Sequence, residues 1–402
     1  MSERLQMPIV EPSGNPGLRP VRILTLTPFY PSKEDPTNGC FIADPLNALA
    51  GSGVENSVFA LRPFYYGRVH GLHTQPADWM RYFSFPRGAG LPTAGAFVFA
   101  RIVGTVRERQ KTKGIDLIHA HGPLPCGHAA MLLSKELGIP YVVSVHGLDA
   151  YSTEQVRGRA GQWSGRITRR VFASSQRVIC ISERVRQQVL EGMEGQSETC
   201  RTSVVYNGVD EEFFSPADEA QPDLTVLGVG NLIPTKGHDV LIRAIASLST
   251  EYPALKLKII GLGPELSRLN GLADELRISD RVEFLGRQER REVVAAMRRC
   301  TIFALPSRYE GLGCVYLEAM SVAKPVIGCR GQGIAEVIQH GANGFLVGAD
   351  NDRELALAIS MLLRDESRRR NLGRAARETI LDRFTLAQQA ERFARIYREC
   401  VR

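Results

Sequence analysis

Residues 301–328 have the sequence TIFALPSRYEGLGCVYLEAMSVAKPVIG, in which a strand, a glycine turn, a helix and a second strand follow one another. The apolar run 301–305 and the run 325–328 predict the strands, and the periodicity of residues 315–322 predicts the helix. The turn contains Gly311-Leu312-Gly313. A unit of this kind predicts two parallel strands joined by a crossover helix.

The rest of the 402-residue chain repeats this alternation of short strand runs and longer helical runs. It predicts an α/β fold with parallel sheets covered by helices on both faces. A turn-rich stretch divides the strand runs into two sets, so we expect two similar Rossmann-like domains. The expected parts are a disordered leader at 1–20, an N-terminal domain at 21–206, a linker at 207–222, a C-terminal domain at 223–383 and a final helix at 384–402.

The composition is that of an ordinary globular protein, with 44% hydrophobic and 23% charged residues. No run reaches the roughly 18 apolar residues that a membrane-spanning helix needs. The net charge of +7 favours an anionic partner, such as a phosphate, a nucleic acid or an acidic membrane surface. The eight cysteines form no C-x-x-C pair. They predict buried reduced thiols and a cytoplasmic location.

Glycine pairs follow several predicted strands of the second half, but none continues into G-x-G-x-x-G, so the dinucleotide fingerprint is absent. The pair Gly311 and Gly313 is the most informative, because it precedes a helix start, where backbone N–H groups bind anions. Glu310 lies before that helix and Glu318 within it. Carboxylates accept hydrogen bonds from sugar hydroxyls. We therefore predict that the backbone amides bind a diphosphate and that the two glutamates bind the hydroxyls. The alternative is that Glu318 is a surface residue of the helix and that Glu310 only neighbours the helix dipole.

Two further residues lie at predicted strand ends, where open α/β sheets bind ligands. Lys236 suits a phosphate, although a solvated lysine is the alternative. His146 ends a strand of the first half and points to a crevice, although a structural histidine is the alternative. His119, His121 and His128 offer no complete ligand set, so we expect no metal. Residues 350–352, the one D-x-D, predict a solvated turn.

Residues 91–113 join an apolar segment to a basic one. Aromatic residues lie in the segment 79–85. The apolar residues Phe97, Val98 and Ile102 come next, and Arg107 and several further cations follow. An apolar surface with basic flanks suits an anionic lipid interface. The alternative is a helix whose apolar face belongs to the protein core.

From about Val21 to the C-terminus, the chain resembles the retaining glycosyltransferases of family 4, which have the GT-B fold. The strongest match is to the family's E-x7-E signature, whose two glutamates are Glu310 and Glu318. The preceding residues 305–309 belong to the same match. Further matches are 145–147, 207–210 and 236–237. Residues 36–42 and 331–336 are similar to the subgroup of teichuronic acid and exopolysaccharide transferases.

The resemblance implies two domains facing a central cleft, with the final helix crossing back to the first domain. His146, Glu310 and Lys236 would be the catalytic residues. The donor would be bound by Gly39, Asn231, Lys236, Glu310, Gly311, Leu312, Gly313 and Glu318. It implies a nucleotide-sugar donor, with a UDP-sugar favoured, and a glycan or lipid-linked acceptor of the cell envelope. It implies neither a metal nor another cofactor, and we expect no nucleic acid partner. Together with the cysteines and residues 91–113, it predicts a cytoplasmic enzyme that contacts the inner face of the membrane.

The sequence departs from the family at Asn231, where an arginine is usual. One cation on the diphosphate is then missing, and Arg308 is a candidate to replace it. A charged hydrogen bond of this kind is worth about 1–3 kcal/mol. The departure leaves open a catalytically silent nucleotide-sugar-binding partner. A second alternative, independent of Asn231, is a GT-B epimerase acting on the nucleotide sugar itself.

Overall fold

The structure, a computed structural model, describes residues 19–67, 70–72, 76–86, 90–151, 156, 158–195, 197–217 and 224–401. Residues 1–18 of the predicted leader and 218–222 of the predicted linker lie outside these ranges.

Seven strands of the described chain form the first sheet: β1 (Val21–Thr27), β2 (Val54–Pro63), β3 (Asp78–Tyr82), β4 (Leu117–His121), β5 (Tyr141–Val145), β6 (Arg177–Cys180) and β7 (Thr202–Val204). All neighbours are parallel, in the order β3-β2-β1-β4-β5-β6-β7. The accompanying helices are α1 (Cys40–Ala48), α2 (Leu91–Thr112), α3 (His128–Leu137), α4 (Gly158–Ser174) and α5 (Glu183–Glu191). Every residue of β4 and β5 is buried, as expected for parallel strands covered on both faces.

Six strands form the second sheet: β8 (Thr225–Val229), β9 (Lys256–Ile260), β10 (Val282–Gly286), β11 (Ile302–Ala304), β12 (Val326–Cys329) and β13 (Phe345–Val347). They are also parallel, in the order β10-β9-β8-β11-β12-β13. Its helices are α6 (His238–Leu248), α7 (Leu266–Glu275), α8 (Arg290–Arg299), α9 (Cys314–Ser321), α10 (Asp352–Arg364) and α11 (Glu366–Arg383). The prediction of an α/β fold with two Rossmann-like parallel sheets is confirmed.

The last helix, α12 (Leu386–Cys400), packs against the first sheet. Its Thr385 and Gln388 form a reciprocal capping box, which satisfies two of the free N–H groups at the helix start. Phe393 and Tyr397 are buried in one cluster with residues of β1, α1 and β2. The chain therefore ends on the domain in which it began.

Several polar contacts fix the two sheets relative to each other. The backbone of Val209 exchanges hydrogen bonds with Phe384 and Leu386, so that the two crossings between the domains run side by side. The Glu336 carboxylate accepts hydrogen bonds from the first amides of α5, at 2.8 Å each. A carboxylate at a helix N-terminus is favourable because of the helix dipole. These contacts close one side of the cleft and leave the strand ends facing each other.

Candidate active site

The site lies where the carboxyl ends of the two sheets meet. In each sheet the order of the strands reverses at one place, between β1 and β4 in the first sheet and between β8 and β11 in the second. Open α/β sheets bind ligands outside the strand ends at such a reversal. The loops that follow these four strands carry most of the residues that the sequence predicted for the site.

Lys236 and Glu310 form an ion pair at the reversal of the second sheet. Lys236 follows β8, and Glu310 follows the neighbouring β11, so the sheet order joins residues that are 74 positions apart. The Lys236 Nζ lies 2.7 Å from Glu310 Oε2. Glu310 is 8% exposed, and its amide donates a hydrogen bond to Gln332. A fixed cation and a buried anion therefore share one end of the cleft.

The Gly311-Leu312-Gly313 turn brings the start of α9 to this ion pair. A Cβ at Gly311 would come within 2.8 Å of the His146 carbonyl oxygen, so the two domains approach each other without room for a side chain. Gly313 has φ +89°, which glycine adopts without the strain that other residues incur. The first turn of α9 has N–H groups without partners inside the helix, and such groups bind phosphate.

Glu318, one turn into α9, lines a cavity of about 260 Å³ between the domains. Its other walls include Gly230 and Asn231 of the second domain and Thr37 and Cys40 of the first. Burial raises the pKa of Glu318 to about 7, although the positive charge of Arg290 opposes the shift. A Cβ at Gly230, a residue of its wall, would lie 3.5 Å from the Lys236 side chain. The cavity therefore adjoins the Lys236–Glu310 pair, and we call it the donor cavity after the role that the sequence predicts.

Arg308, the candidate replacement for the missing arginine, is already bound by two aspartates. Its guanidinium donates two hydrogen bonds of 2.9 Å to Asp239 and one of 2.6 Å to Asp350. Asn231 lines the donor cavity and is exposed, but its side chain carries no charge, so neither residue supplies a free second cation.

Two arginines that the sequence reasoning missed line the donor cavity instead. Arg287 pairs with Asp35 at 2.9 Å, and Arg290 pairs with Asp44 at 2.8 Å. Both ion pairs join the second domain to the first across the cleft. The signal was present in the sequence, because these arginines directly follow the end of β10 at the ligand-binding edge.

Gly39 lies in the loop that follows β1 and begins α1. Its φ is +79°, and a Cβ there would come within 2.6 Å of the Phe29 backbone. The loop passes between two cavities: Thr37 and Cys40 line the donor cavity, whereas Asp35 and Asn38 line a second cavity in the first domain. Glycine is required by the fold of this loop as well as by its closeness to the cleft.

His146 follows β5 and lies beside Phe41, with ring centroids 5.0 Å apart. Its Nε2 is 3.0 Å from Nδ1 of His121, and the two rings are stacked. His119, two residues earlier on the same face of β4, contacts the hydroxyl of Tyr397 on α12 at 2.7 Å. Burial lowers the pKa of His146 to about 4, so the ring is neutral at pH 7 and contributes hydrogen bonds rather than charge.

The remaining predicted features are structural. In the described part of the chain, no group of three or more His, Cys, Asp or Glu side chains is arranged to hold a metal ion. No helix there is long and apolar enough to cross a bilayer. All eight cysteines are free thiols, and five of them are buried. In the D-x-D segment, Asn351 caps α10 by accepting a hydrogen bond from the Glu354 amide.

Two family descriptions match this chain in tandem. Residues 41–213 match "Glycosyltransferase Family 4", and residues 209–379 match "Glycosyl transferases group 1". The boundary between the two matches lies at Val209, where the chain crosses between the sheets.

Individual proteins are similar over most of the chain. An uncharacterised glycosyltransferase of Methanocaldococcus jannaschii is 32% identical over 67% of this chain and 71% of its own. N-acetyl-alpha-D-glucosaminyl L-malate synthase of Bacillus anthracis is 29% identical over 75% of this chain and 79% of its own. Among solved structures, Anabaena HepE in complex with UDP-glucose has a TM-score of 0.73 and 22% identity, over 94% of this chain and 99% of its own. The chain therefore belongs to the retaining glycosyltransferases of family 4 and has their GT-B fold.

Proposed function

We propose that this glycosyltransferase moves the sugar of a nucleotide-sugar donor, a UDP-sugar being favoured, to a glycan or lipid-linked acceptor of the cell envelope. The observation that carries the proposal is the Lys236–Glu310 ion pair at the start of α9, with Glu318 in the adjoining cavity. Together they offer a cation and amides for a diphosphate, and two carboxylates for hydroxyls.

In this proposal each group has one task. The diphosphate lies against Lys236 and the first amides of α9, which stabilise the negative charge that grows on it as the sugar departs. Glu318 accepts hydrogen bonds from the ribose, and Glu310 from the transferred sugar. His146 contacts that sugar from the first domain. Arg287 and Arg290 line the donor cavity, but each is paired with an aspartate of the first domain, so they do not simply replace the arginine that is missing at position 231.

A donor screen tests this proposal. The purified protein is heated with UDP-, GDP- and ADP-sugars, and nucleotide release is then measured with the donors that bind. We expect UDP-sugars to raise Tm, because a ligand at 100 times its Kd adds about 2.7 kcal/mol to the free energy of unfolding. Release of nucleotide with an acceptor supports transfer, and stabilisation by no nucleotide sugar contradicts the proposal.

Two outcomes of the same screen favour the alternatives. Donor binding without nucleotide release, with any acceptor or with water, identifies a silent binding partner. Formation of an epimerised nucleotide sugar without acceptor identifies an epimerase.

We also propose a cytoplasmic enzyme that contacts an anionic membrane, through a surface that keeps only the aromatic part of the predicted one. The apolar stripe of α2 is not available, because Val98, Ile102 and Val106 are fully buried in the core. The aromatic residues around the start of α2 are exposed instead. Six of them, 37–52% exposed, form a continuous chain of rings with centroids 5.0–5.8 Å apart: Phe64, Tyr65, Tyr66, Phe83, Phe85 and Phe97.

Removing three rings of this aromatic patch, in Phe64→Ser/Phe83→Ser/Phe97→Ser, is expected to lower vesicle binding at least tenfold. Each buried phenylalanine ring contributes about 1.5–3 kcal/mol. Co-sedimentation with phosphatidylglycerol vesicles measures the effect. The control Leu357→Ser/Met361→Ser removes side chains of α10 that are 66% and 42% exposed, and it should bind as the wild type does. Equal binding of all three proteins would sink the membrane proposal.

A further inference from the structure

A second cavity, of about 440 Å³, opens at the strand reversal of the first sheet. Asp35 and Asn38 of the Gly39 loop form one wall, and His121 and Asp149 form its inner end. Tyr65 and Tyr66 of the aromatic patch line it as well. His121 lies 3.0 Å from His146, which contacts the transferred sugar in our proposal. A molecule in this second cavity therefore approaches that sugar from the first domain, on the acceptor side.

Two buried polar atoms in this second cavity have no hydrogen-bond partner among the described residues: Asp149 Oδ2 and His121 Nε2. The other polar atom of each side chain is engaged with His146. Asp149 Oδ1 accepts a hydrogen bond from the His146 amide at 2.9 Å, and His121 Nδ1 lies 3.0 Å from His146 Nε2. Buried polar atoms without partners are costly, and both of these face a cavity large enough for a ligand.

Asp149 and His121 together are suited to bind a hydroxyl group. Burial raises the pKa of Asp149 to about 6, so its carboxylate is ionised at pH 7 and only accepts hydrogen bonds. Burial holds the pKa of His121 well below its usual range, so the neutral ring has one N–H to share between its two nitrogens. A hydroxyl donates to the carboxylate and accepts from the imidazole. A carboxylate or a fully ionised phosphate group cannot donate, and Asp149 repels either anion.

The charges around the inner end agree with this selection. Asp35 is neutralised by Arg287. Among the described residues that line the second cavity, Arg62 is the cation, and its guanidinium is 5.4 Å from the centroid of the Trp79 ring. Arg62 lies on β2, two strands from His121 on β4, which is roughly 10 Å at the usual spacing of strands. The described inner end therefore has no unpaired positive charge to hold an anion.

We propose that Asp149 and His121 bind the acceptor, and that the acceptor is a neutral polyhydroxy compound at its reacting end, such as the terminal sugar of a glycan. The inference rests on the proposed function, because the neighbouring donor cavity identifies this second cavity as the acceptor side. It adds the chemical class of the acceptor. It also gives a role to Asp149 and to His121, which belongs to no metal-binding group among the described residues.

The test measures acceptor binding separately from turnover. Ligand-observed NMR follows the binding of a panel of alkyl glycosides to the UDP-saturated wild type and to Asp149→Asn. His121→Asn is a second variant, which leaves the carboxylate in place. Asp280→Asn, an exposed aspartate of the second domain, is the matched control. We expect glycoside affinity to fall at least tenfold in both cavity variants and to stay unchanged in the control, with UDP affinity unchanged in all.

Three results would overturn the inference: equal glycoside binding by Asp149→Asn and wild type, no glycoside binding by the wild type, or tighter binding of L-malate than of every glycoside. L-Malate is the anionic compound in the name of the Bacillus anthracis relative. Nucleotide release distinguishes the two proposals. If glycosides bind through Asp149 but no nucleotide sugar is turned over, the proposed function fails while the acceptor assignment stands.

Discussion

Glu310→Gln is expected to lower kcat for sugar transfer by about 10² to 10³, the range observed when one preorganised group that stabilises a transition state is removed. Glutamine keeps the shape of the side chain but removes the negative charge that holds Lys236 at 2.7 Å and, in our proposal, contacts the transferred sugar. The measurement is nucleotide release at saturating donor, with Tm as a check on folding. Glu275→Gln, on the exposed side of α7, is the matched control.

The same ion pair predicts a non-additive result. Lys236→Met alone should be as damaging as Glu310→Gln, because each removes one half of a unit that positions the donor. The double variant should be little worse than either single one, since residues that act as a unit share one effect. Unchanged turnover in Glu310→Gln, or fully additive losses, would contradict the assignment.

Glu318→Gln is expected to weaken donor binding about 10- to 100-fold while making the free protein more stable at pH 8. Hydrogen bonds to a charged group are worth about 1.5–3 kcal/mol, and glutamine lacks the charge. The gain in stability follows from burial, which raises the pKa of Glu318 from 4.5 to about 7 in the folded chain. Ionising this side chain above pH 7 therefore costs the folded state free energy that the unfolded state does not lose.

The direction of the pH effect is specific. A group with a raised folded pKa stabilises the fold below its unfolded pKa, and this contribution is lost as the pH rises through the folded pKa. Glu318→Gln should thus match the wild type in Tm near pH 4 and exceed it at pH 8, by at most about 3 kcal/mol in the free energy of unfolding. Calorimetry of both proteins with and without UDP measures both effects. A variant that binds UDP normally, or is less stable at pH 8, would refute the role of Glu318.

Much of this site could be predicted because parallel sheets concentrate strand ends at one edge. Lys236 and Glu310 follow adjacent strands, so their contact is a consequence of the strand order. The alternation of strands and helices in turn predicts a sheet of this kind. The helix at 91–113 was also predicted, but not its orientation: the faces of α2 are distinguished only by the packing of Val98 and Ile102 against the sheet.

Side-chain pairing between distant segments could not be predicted from the sequence. Arg308 is bound by Asp239 in the first turn of α6 and by Asp350 in a turn before α10, and nothing in its own neighbourhood indicates this. Asp149 is not distinctive in the sequence, because an aspartate after a strand is common. It becomes distinctive only when the fold buries one of its oxygens without a partner beside His121.

The most direct test of the central claim is a crystal structure of the protein with a bound UDP-sugar. The account predicts the diphosphate against Lys236 and the first amides of α9, the ribose hydroxyls on the Glu318 carboxylate, and the sugar between Glu310 and His146. A donor bound elsewhere, or in this cleft with its ribose away from Glu318 and its diphosphate away from Lys236, would contradict it.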